Sequence, residues 1–340
     1  MADYPNRGLT NPELIEYLEL PADTLTALAT GEGSTWTATK NEFLEALYNK
    51  VLYSRVSSMD FTNPFKKYDS YPVKFGDTIE NIFVEIPKGY EFDKNATDPF
   101  TKKIPDVKAL YASINYELQY QTTIQDALLR RAAINEYGFM NLIDTILASL
   151  SKGMSLDEYN AIRYMLANSD IYATAEPEVI ARGTDATETA KNMTRAIADC
   201  ISQMQLPMTA NNKLHILNNA APSDLVLVIK YGLKNMIDLD FLTGVFNLEK
   251  VSMVKNIIEV DGFQCAKPGT QGTPEITGKD YDFVILDTRG FDCHVALQDG
   301  GMIYNPKGKY TNHFLNLWKI VAFKTFANAR AFKLAPAPQE

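Results

Sequence analysis

Residues 69–103 limit what this chain can fold into more than any other stretch does. At their centre, residues 73–89 read VKFGDTIENIFVEIPKG. Ile82, Val84 and Ile86 alternate with Asn81, Phe83 and Glu85, the period of two that marks a strand. Pro72, Gly76, Pro87 and Gly89 punctuate that strand, and Lys94-Asn95-Ala96-Thr97-Asp98-Pro99 reads as a turn. A hairpin made from 69–103 has arms of roughly 17 residues, about 55 Å at about 3.3 Å per residue. A compact chain of 340 residues has a radius of gyration of only about 20 Å. Its own body is hard pressed to cover such a hairpin, and an isolated two-stranded ribbon is marginal in water. Something else must cover it.

The rest of the chain can supply a core. It is 46% hydrophobic and 22% charged, a soluble globular balance with room for two or three substructures. The net charge of -9 argues against a protein that grips nucleic acid, which needs a basic face. Cys200, Cys265 and Cys293 form neither a zinc pattern nor a disulfide framework. Cys200 lies on an apolar helical stripe and reads as a small core hydrophobe. The N-terminus MADYPNRGLTNPE has no apolar leader core, and no run of 18 apolar residues occurs, so the expectation is a reducing, aqueous compartment with no membrane. The sequons at Asn95 and Asn192 are then chance.

Along the chain, Asn11-Pro12-Glu13 offers a helix start with Asn11 as cap. A Thr-, Gly- and Ala-rich linker to about Thr39 follows, then a helix over about 40–56 with Phe43, Leu44, Leu47, Tyr48, Val51 and Leu52 on one side. Residues 107–120 read as one long strand and 126–133 as a short helix. Phe139, Leu142, Ile143, Ile146, Leu147 and Leu150 recur at helical spacing. Gly153 ends that helix, and the capping box Ser155…Glu158 opens another, so 136–168 form a helical column broken once. Residues 184–204 are amphipathic, with Met193, Ile197, Cys200, Ile201 and Met204 inward. Leu225-Val226-Leu227-Val228-Ile229 has the pattern of a central strand buried on both faces. Strands follow near 254–260 and 282–287, and residues 310–334 read as extended. The order is α+β, and the last strand is expected to return to the sheet begun at 107–120.

Chemistry is hard to find. There is no glycine-rich nucleotide loop, nucleophile elbow or HExxH. Cys293 and His294 are neighbours on a strand and point to opposite faces, a poor placement for nucleophile and base. Asp238 and Asp240 cap a helix more readily than they hold a metal with Glu249. No catalytic, cofactor or metal residue is expected. Lys66-Lys67 and Lys102-Lys103 flank the ribbon, either protecting its edge or pairing with another copy. A ribbon needing a partner, in a chain with no legible active site, points to self-assembly.

Seven short blocks then carry a resemblance. Asn63-Pro64-Phe65-Lys66-Lys67, Thr78-Ile79-Glu80, Ile104-Pro105-Asp106-Val107-Lys108, Thr123-Ile124-Gln125-Asp126, Val260-Asp261-Gly262-Phe263, Asn305-Pro306-Lys307-Gly308 and Phe326-Ala327-Asn328-Ala329-Arg330-Ala331-Phe332 resemble, in that order, the major capsid proteins of phi-twenty-nine-type short-tailed phages. The resemblance implies the Hong Kong-97-like capsid fold: an N-terminal arm (1–62), an E-loop (63–103), a P domain with its spine helix (104–175), an A domain (176–306) and a return strand with tail (307–340). It implies inter-subunit contacts through Lys74, Asp77, Glu80, Glu85 and Lys88, and a spine core of Phe139, Leu142, Ile143, Ile146, Leu147 and Leu150. It further implies hexamers and pentamers in an icosahedral or prolate shell, portal and scaffolding partners, and enclosed double-stranded DNA bound without sequence preference. The shell would be assembled in the host cytoplasm and carried in the virion. Relatives can carry a C-terminal immunoglobulin-like domain, whereas this sequence stops soon after Leu334. An encapsulin-like nanocompartment of the same fold and a soluble enzyme with an irregular site are the alternatives.

Overall fold

The computed structural model describes residues 10–47, 63–74, 76–87, 104–135, 138–236, 256–270 and 275–336, together with 89, 91, 94 and 102. Its helices are α1 (Asn11–Tyr17), α2 (Thr24–Thr30), α3 (Gly33–Leu47), α4 (Asp126–Ile134), α5 (Gly138–Leu166) and α6 (Ala186–Gln205). Its strands are β1 (Ile79–Val84), β2 (Val107–Ala112), β3 (Tyr116–Gln125), β4 (Glu178–Ile180), β5 (Leu225–Lys230), β6 (Ile257–Val260), β7 (Cys265–Ala266), β8 (Ile276–Thr277), β9 (Phe283–Asp287), β10 (Phe291–Asn305), β11 (Tyr310–Phe323) and β12 (Ala329–Leu334). They form two compact units.

The first unit is Met1–Asn63, Glu117–Glu158 and Gln298–Leu317. Thr10, not Asn11, caps α1: its amide and hydroxyl both donate to Glu13, each at 2.8 Å. Asn11 is committed elsewhere. Its amide nitrogen donates to the carbonyls of Ala132 (2.9 Å) and Asn135 (2.6 Å), and its oxygen accepts from the Phe139 amide at 3.1 Å. One side chain thus satisfies groups that the end of α4 and the start of α5 leave without helical partners. The expected linker is in fact helical, as α2 and the start of α3. Two large residues suffice there, because buried Trp36 donates its indole N–H to the carbonyl of buried Leu28 at 3.1 Å. Phe43 and Leu44 are buried as expected, while residues 48–56 lie outside the described residues.

The column is one helix of 29 residues rather than two. Gly153 stays helical, and Leu150 and Met154 carry the buried stripe past it. The capping box is not used because the preceding turn never ends. Phe139, Leu142, Ile146 and Leu150 are buried, and Phe139 meets Phe43 with ring centroids 4.5 Å apart. The side chains of Ile143 and Leu147 lie outside the description. Strands β10, β11 and β3 form a sheet in that order, so β11 is the return strand that the sequence led us to expect. Gln119 and Thr123 bond Asn316 and Asn312 across it, at 2.9 and 2.7 Å.

The second unit is Pro64–Tyr116, Tyr159–Leu297 and Trp318–Glu340. Its five-stranded sheet runs β4-β12-β9-β5-β6. β5 is interior and buried on both faces, as its unbroken apolar run requires. Leu225, Leu227 and Ile229 pack with Met193, Ile197, Cys200, Ile201 and Met204 of α6. Val226 and Val228 pack on the other side with Ile162 and Leu166 of α5, Tyr281 and Phe291. Residues 310–334 are therefore two strands, and β12 joins this sheet rather than that of β11. Residues 107–120 are likewise two strands. Asn115 makes the break: its amide donates to the Val321 carbonyl (2.8 Å) and its oxygen accepts from the Val321 amide (2.9 Å). A side chain there takes the bonds that a continuing strand would make.

Candidate assembly interface

The partner of β1 is β2. They pair antiparallel from Ile79↔Ala112 to Val84↔Val107. Six residues in each strand make a ribbon of about 20 Å, shorter than the hairpin expected within 69–103, and half of it comes from beyond that stretch. Glu85 closes the far end, its amide donating to the Asp106 carbonyl at 2.9 Å and its carboxylate meeting Lys108 at 3.1 Å.

The ribbon's root is fastened to its own unit. The Ser70 and Val73 amides donate to the Cys293 and Val295 carbonyls of β10, at 2.8 and 3.0 Å. Asp69 pairs with buried Lys319 at 2.8 Å. The chain then turns at Gly76, whose φ of +84° suits glycine, and enters β1. There the alternation separates two faces. Asn81 donates to Asp292 at 2.7 Å, and Phe83 meets Phe326 with centroids 5.4 Å apart. These side chains hold the inner face.

The outer face has no such cover. Ile82 is 58% exposed, Val84 53%, Ile86 70%, Val107 51% and Tyr111 70%. Val84 lies opposite Val107 and Ile82 opposite Ala109, so these side chains form one surface. An apolar patch of this kind marks an interaction surface rather than scattered exposure.

The charged residues expected to make the contact are placed as follows. Glu80 accepts from the Tyr111 hydroxyl at 2.8 Å and Glu85 pairs with Lys108, so both are engaged within the ribbon. Lys74 and Asp77 are exposed in the turn at Gly76, the Asp77 amide donating to the Lys74 carbonyl. Lys88 lies outside the described residues. Between these charges Ile82, Val84 and Ile86 are all exposed, as the period-two pattern, which sets them on one face, leads one to expect.

The chemistry considered from the sequence is placed as follows. All three cysteines are buried, and burial pushes the Cys200 and Cys293 thiols up to about 12, which makes neither a ready thiolate. His294 is bonded to Asp292 and to the Tyr71 carbonyl, not to a cysteine. Asp238, Asp240 and Glu249 lie outside the described residues. Among the described residues no three His, Cys, Asp or Glu side chains gather as metal ligands, and no helix is long and apolar enough to cross a membrane.

Comparison with known proteins decides what carries this ribbon. The Phi29-like phage major capsid protein family matches residues 22–333. This chain belongs to that family. It is 28% identical over 299 residues to the major capsid protein of Bacillus phage B103, covering 86% of this chain and 63% of that one. To the major capsid protein of Bacillus phage PZA it is 26% identical over 307 residues, covering 88% and 65%. It thus spans under two thirds of the length of these two curated relatives of the family. A solved structure of the Staphylococcus phage Andhra capsid has the same fold, with a TM-score of 0.63 at 14% identity over 83% of this chain and 86% of that one. The α+β fold of the family member is therefore a phage capsid fold.

Proposed function

We propose that this chain is the shell subunit of a tailed-phage head, and that β1 and β2 form the E-loop by which one copy lies across the next. The observation carrying the reading is the uncovered face of Ile82, Val84, Ile86, Val107 and Tyr111 on a ribbon whose other face is already bonded to its own unit. In this reading the E-loop ends at Ala112 rather than 103, because β2 is its second arm. Residues 1–62 are the arm, α5 is the spine of the P domain, and the five-stranded sheet with α6 forms most of the A domain. Lys74 and Asp77, exposed at the turn, are left to pair with the neighbouring copy.

Energetics favour many copies over one pair. Covering an aliphatic side chain completely contributes about 1.5–3 kcal/mol, and these are already covered in part, 51–70% of each remaining exposed. Association costs roughly 4–15 kcal/mol, so one ribbon contact is marginal. A closed shell repeats the contact around every subunit. Hexamers and pentamers, portal and scaffolding partners, assembly in the host cytoplasm and enclosed double-stranded DNA belong to the same reading. The acidic balance of -9 suits a wall along which DNA slides. Size-exclusion chromatography and electron microscopy of the purified chain test it: closed shells are expected, and a stable monomer under every assembly condition contradicts it.

A further inference from the structure

The uncovered face of the ribbon carries a single charge. Alternation puts Glu80, Ile82 and Val84 of β1 on that face, with Val107, Ala109 and Tyr111 of β2. Glu80 accepts one hydrogen bond there, from the Tyr111 hydroxyl at 2.8 Å, and among the described residues it pairs with no cation. A carboxylate has room for further donors. Whatever covers this face must be apolar and must bring a cation to Glu80, because a carboxylate buried alone is costly.

The first unit holds such a surface. Leu128, Ala132 and Asn135 share one side of α4 at helical spacing. Asn141 and Leu142 of α5 form the opposite wall of a groove of about 300 Å³. The two helices close up at their junction because residue 138 is glycine: a Cβ there would collide with the Ala132 carbonyl. Ala132 and Leu142 are buried and form the floor, while Leu128 is 46% exposed. The polar lining residues, Arg131, Asn135 and Asn141, are all exposed. A small-molecule site has polar groups converging inside it, whereas an apolar floor with a polar rim is the layout of a protein contact. Arg131 is the one charged residue of this lining, and among the described residues it pairs with no carboxylate.

We propose that the groove between α4 and α5 receives the ribbon of a second copy, with Ile82 and Val84 over Leu128 and Leu142 and with Glu80 paired to Arg131. The assignment rests on the reading of β1 and β2 as a contact between copies, and it names what they meet. The two surfaces match in sign, since each is apolar with one charge and the charges are opposite. A guanidinium can also meet a carboxylate through two parallel hydrogen bonds, which fixes register. They match in scale as well. Glu80 and Val84 stand about 13 Å apart at about 3.3 Å per residue of strand. Leu128 to Asn135 cover about 10 Å at about 1.5 Å per residue of helix. Leu206, Met208 and Leu217, exposed around the Met208–Asn218 bridge of the second unit, are apolar too but bring no charge among themselves, so they provide the control.

Two experiments on the full chain test the groove, under conditions in which the unaltered chain builds shells. The native cysteines are free and buried, so introduced thiols are the ones that oxidise. Ile82→Cys with Leu128→Cys should give, on oxidation of the shells, a ladder of linked subunits on a non-reducing gel, and each single variant should stay monomeric. Shells without a ladder overturn the proposal, as does a link closed within one chain, or a ladder that forms only with Leu217→Cys in place of Leu128→Cys. In the second experiment, Glu80→Arg or Arg131→Glu alone should raise the subunit concentration needed for shells by about tenfold or more, because like charges then meet in the contact. The two together should restore assembly. Both positions are exposed, and a thermal melt verifies that each single variant is folded. A double variant no better than the singles overturns the pairing. These failures contradict the groove alone; an unaltered chain that builds no shells contradicts the underlying reading as well.

Discussion

Phe83 rests against Phe326 with ring centroids 5.4 Å apart, while Ile82 and Val84, its neighbours in the same strand, stand in solvent. Successive side chains of a strand point to opposite faces, so one strand both anchors the ribbon at home and offers a surface to a second copy. Phe83→Ala should loosen the anchor without unfolding either unit. An aromatic pair contributes about 0.5–1.5 kcal/mol beyond its buried area, so exchange of the β1 amides should quicken several-fold while the thermal midpoint moves little. Unaltered exchange would mean that the rings touch without holding anything.

Ile146 is buried on the inner stripe of α5. Ile146→Asp places an unpaired carboxylate among apolar neighbours and should cost several kcal/mol. Insoluble protein is expected on expression. A soluble, folded variant would show that this face of the helix is not where the first unit has its core.

Gly153 lies inside α5 with ordinary helical neighbours, and a Cβ there would stand 3.4 Å from the Tyr120 ring, in normal contact. Gly153→Ala should therefore stabilise the chain by roughly 0.5–1 kcal/mol, the usual difference between the two residues in a helix interior. A thermal melt decides. A drop in the midpoint would favour a helix that breaks at this residue.

Burial lowers the pKa of His313 to about 4, against about 6.5 for a free imidazole. Above about 6.5 the ring is neutral in both folded and unfolded chains. As pH falls from there towards about 4, the unfolded chain takes the proton first, so stability declines, by up to on the order of 3 kcal/mol. Denaturant unfolding at a series of pH values should show this slope, and His313→Gln should flatten it. An equal slope in both proteins would assign the pH dependence to other groups.

Periodicity carried the sequence reading furthest where one element packs on one core. The inward residues of α6, the doubly buried β5 and the buried Phe139, Leu142, Ile146 and Leu150 of α5 were legible because each pattern repeats over several turns or a full strand. The errors fall where a single polar side chain decides. Asn11 leaves the cap position to bond residues more than 120 positions away, and Asn115 ends a strand by bonding Val321. No local pattern contains either partner. The ribbon's face was legible as alternation, but not what each of its charges meets. Glu80 and Glu85 are engaged by Tyr111 and Lys108, which approach only once β2 is known to be the partner of β1.

The central claim is that the outer face of the ribbon is covered by another copy of this chain. Ile82→Asp with Val84→Asp tests it most directly, by electron microscopy under conditions in which the unaltered chain builds shells. Both side chains are more than half exposed, so each substitution should change the stability of the single chain by no more than about 0.5 kcal/mol, which a thermal melt verifies. The account predicts folded subunits and fields empty of shells. Closed shells of normal form from the double variant would contradict it.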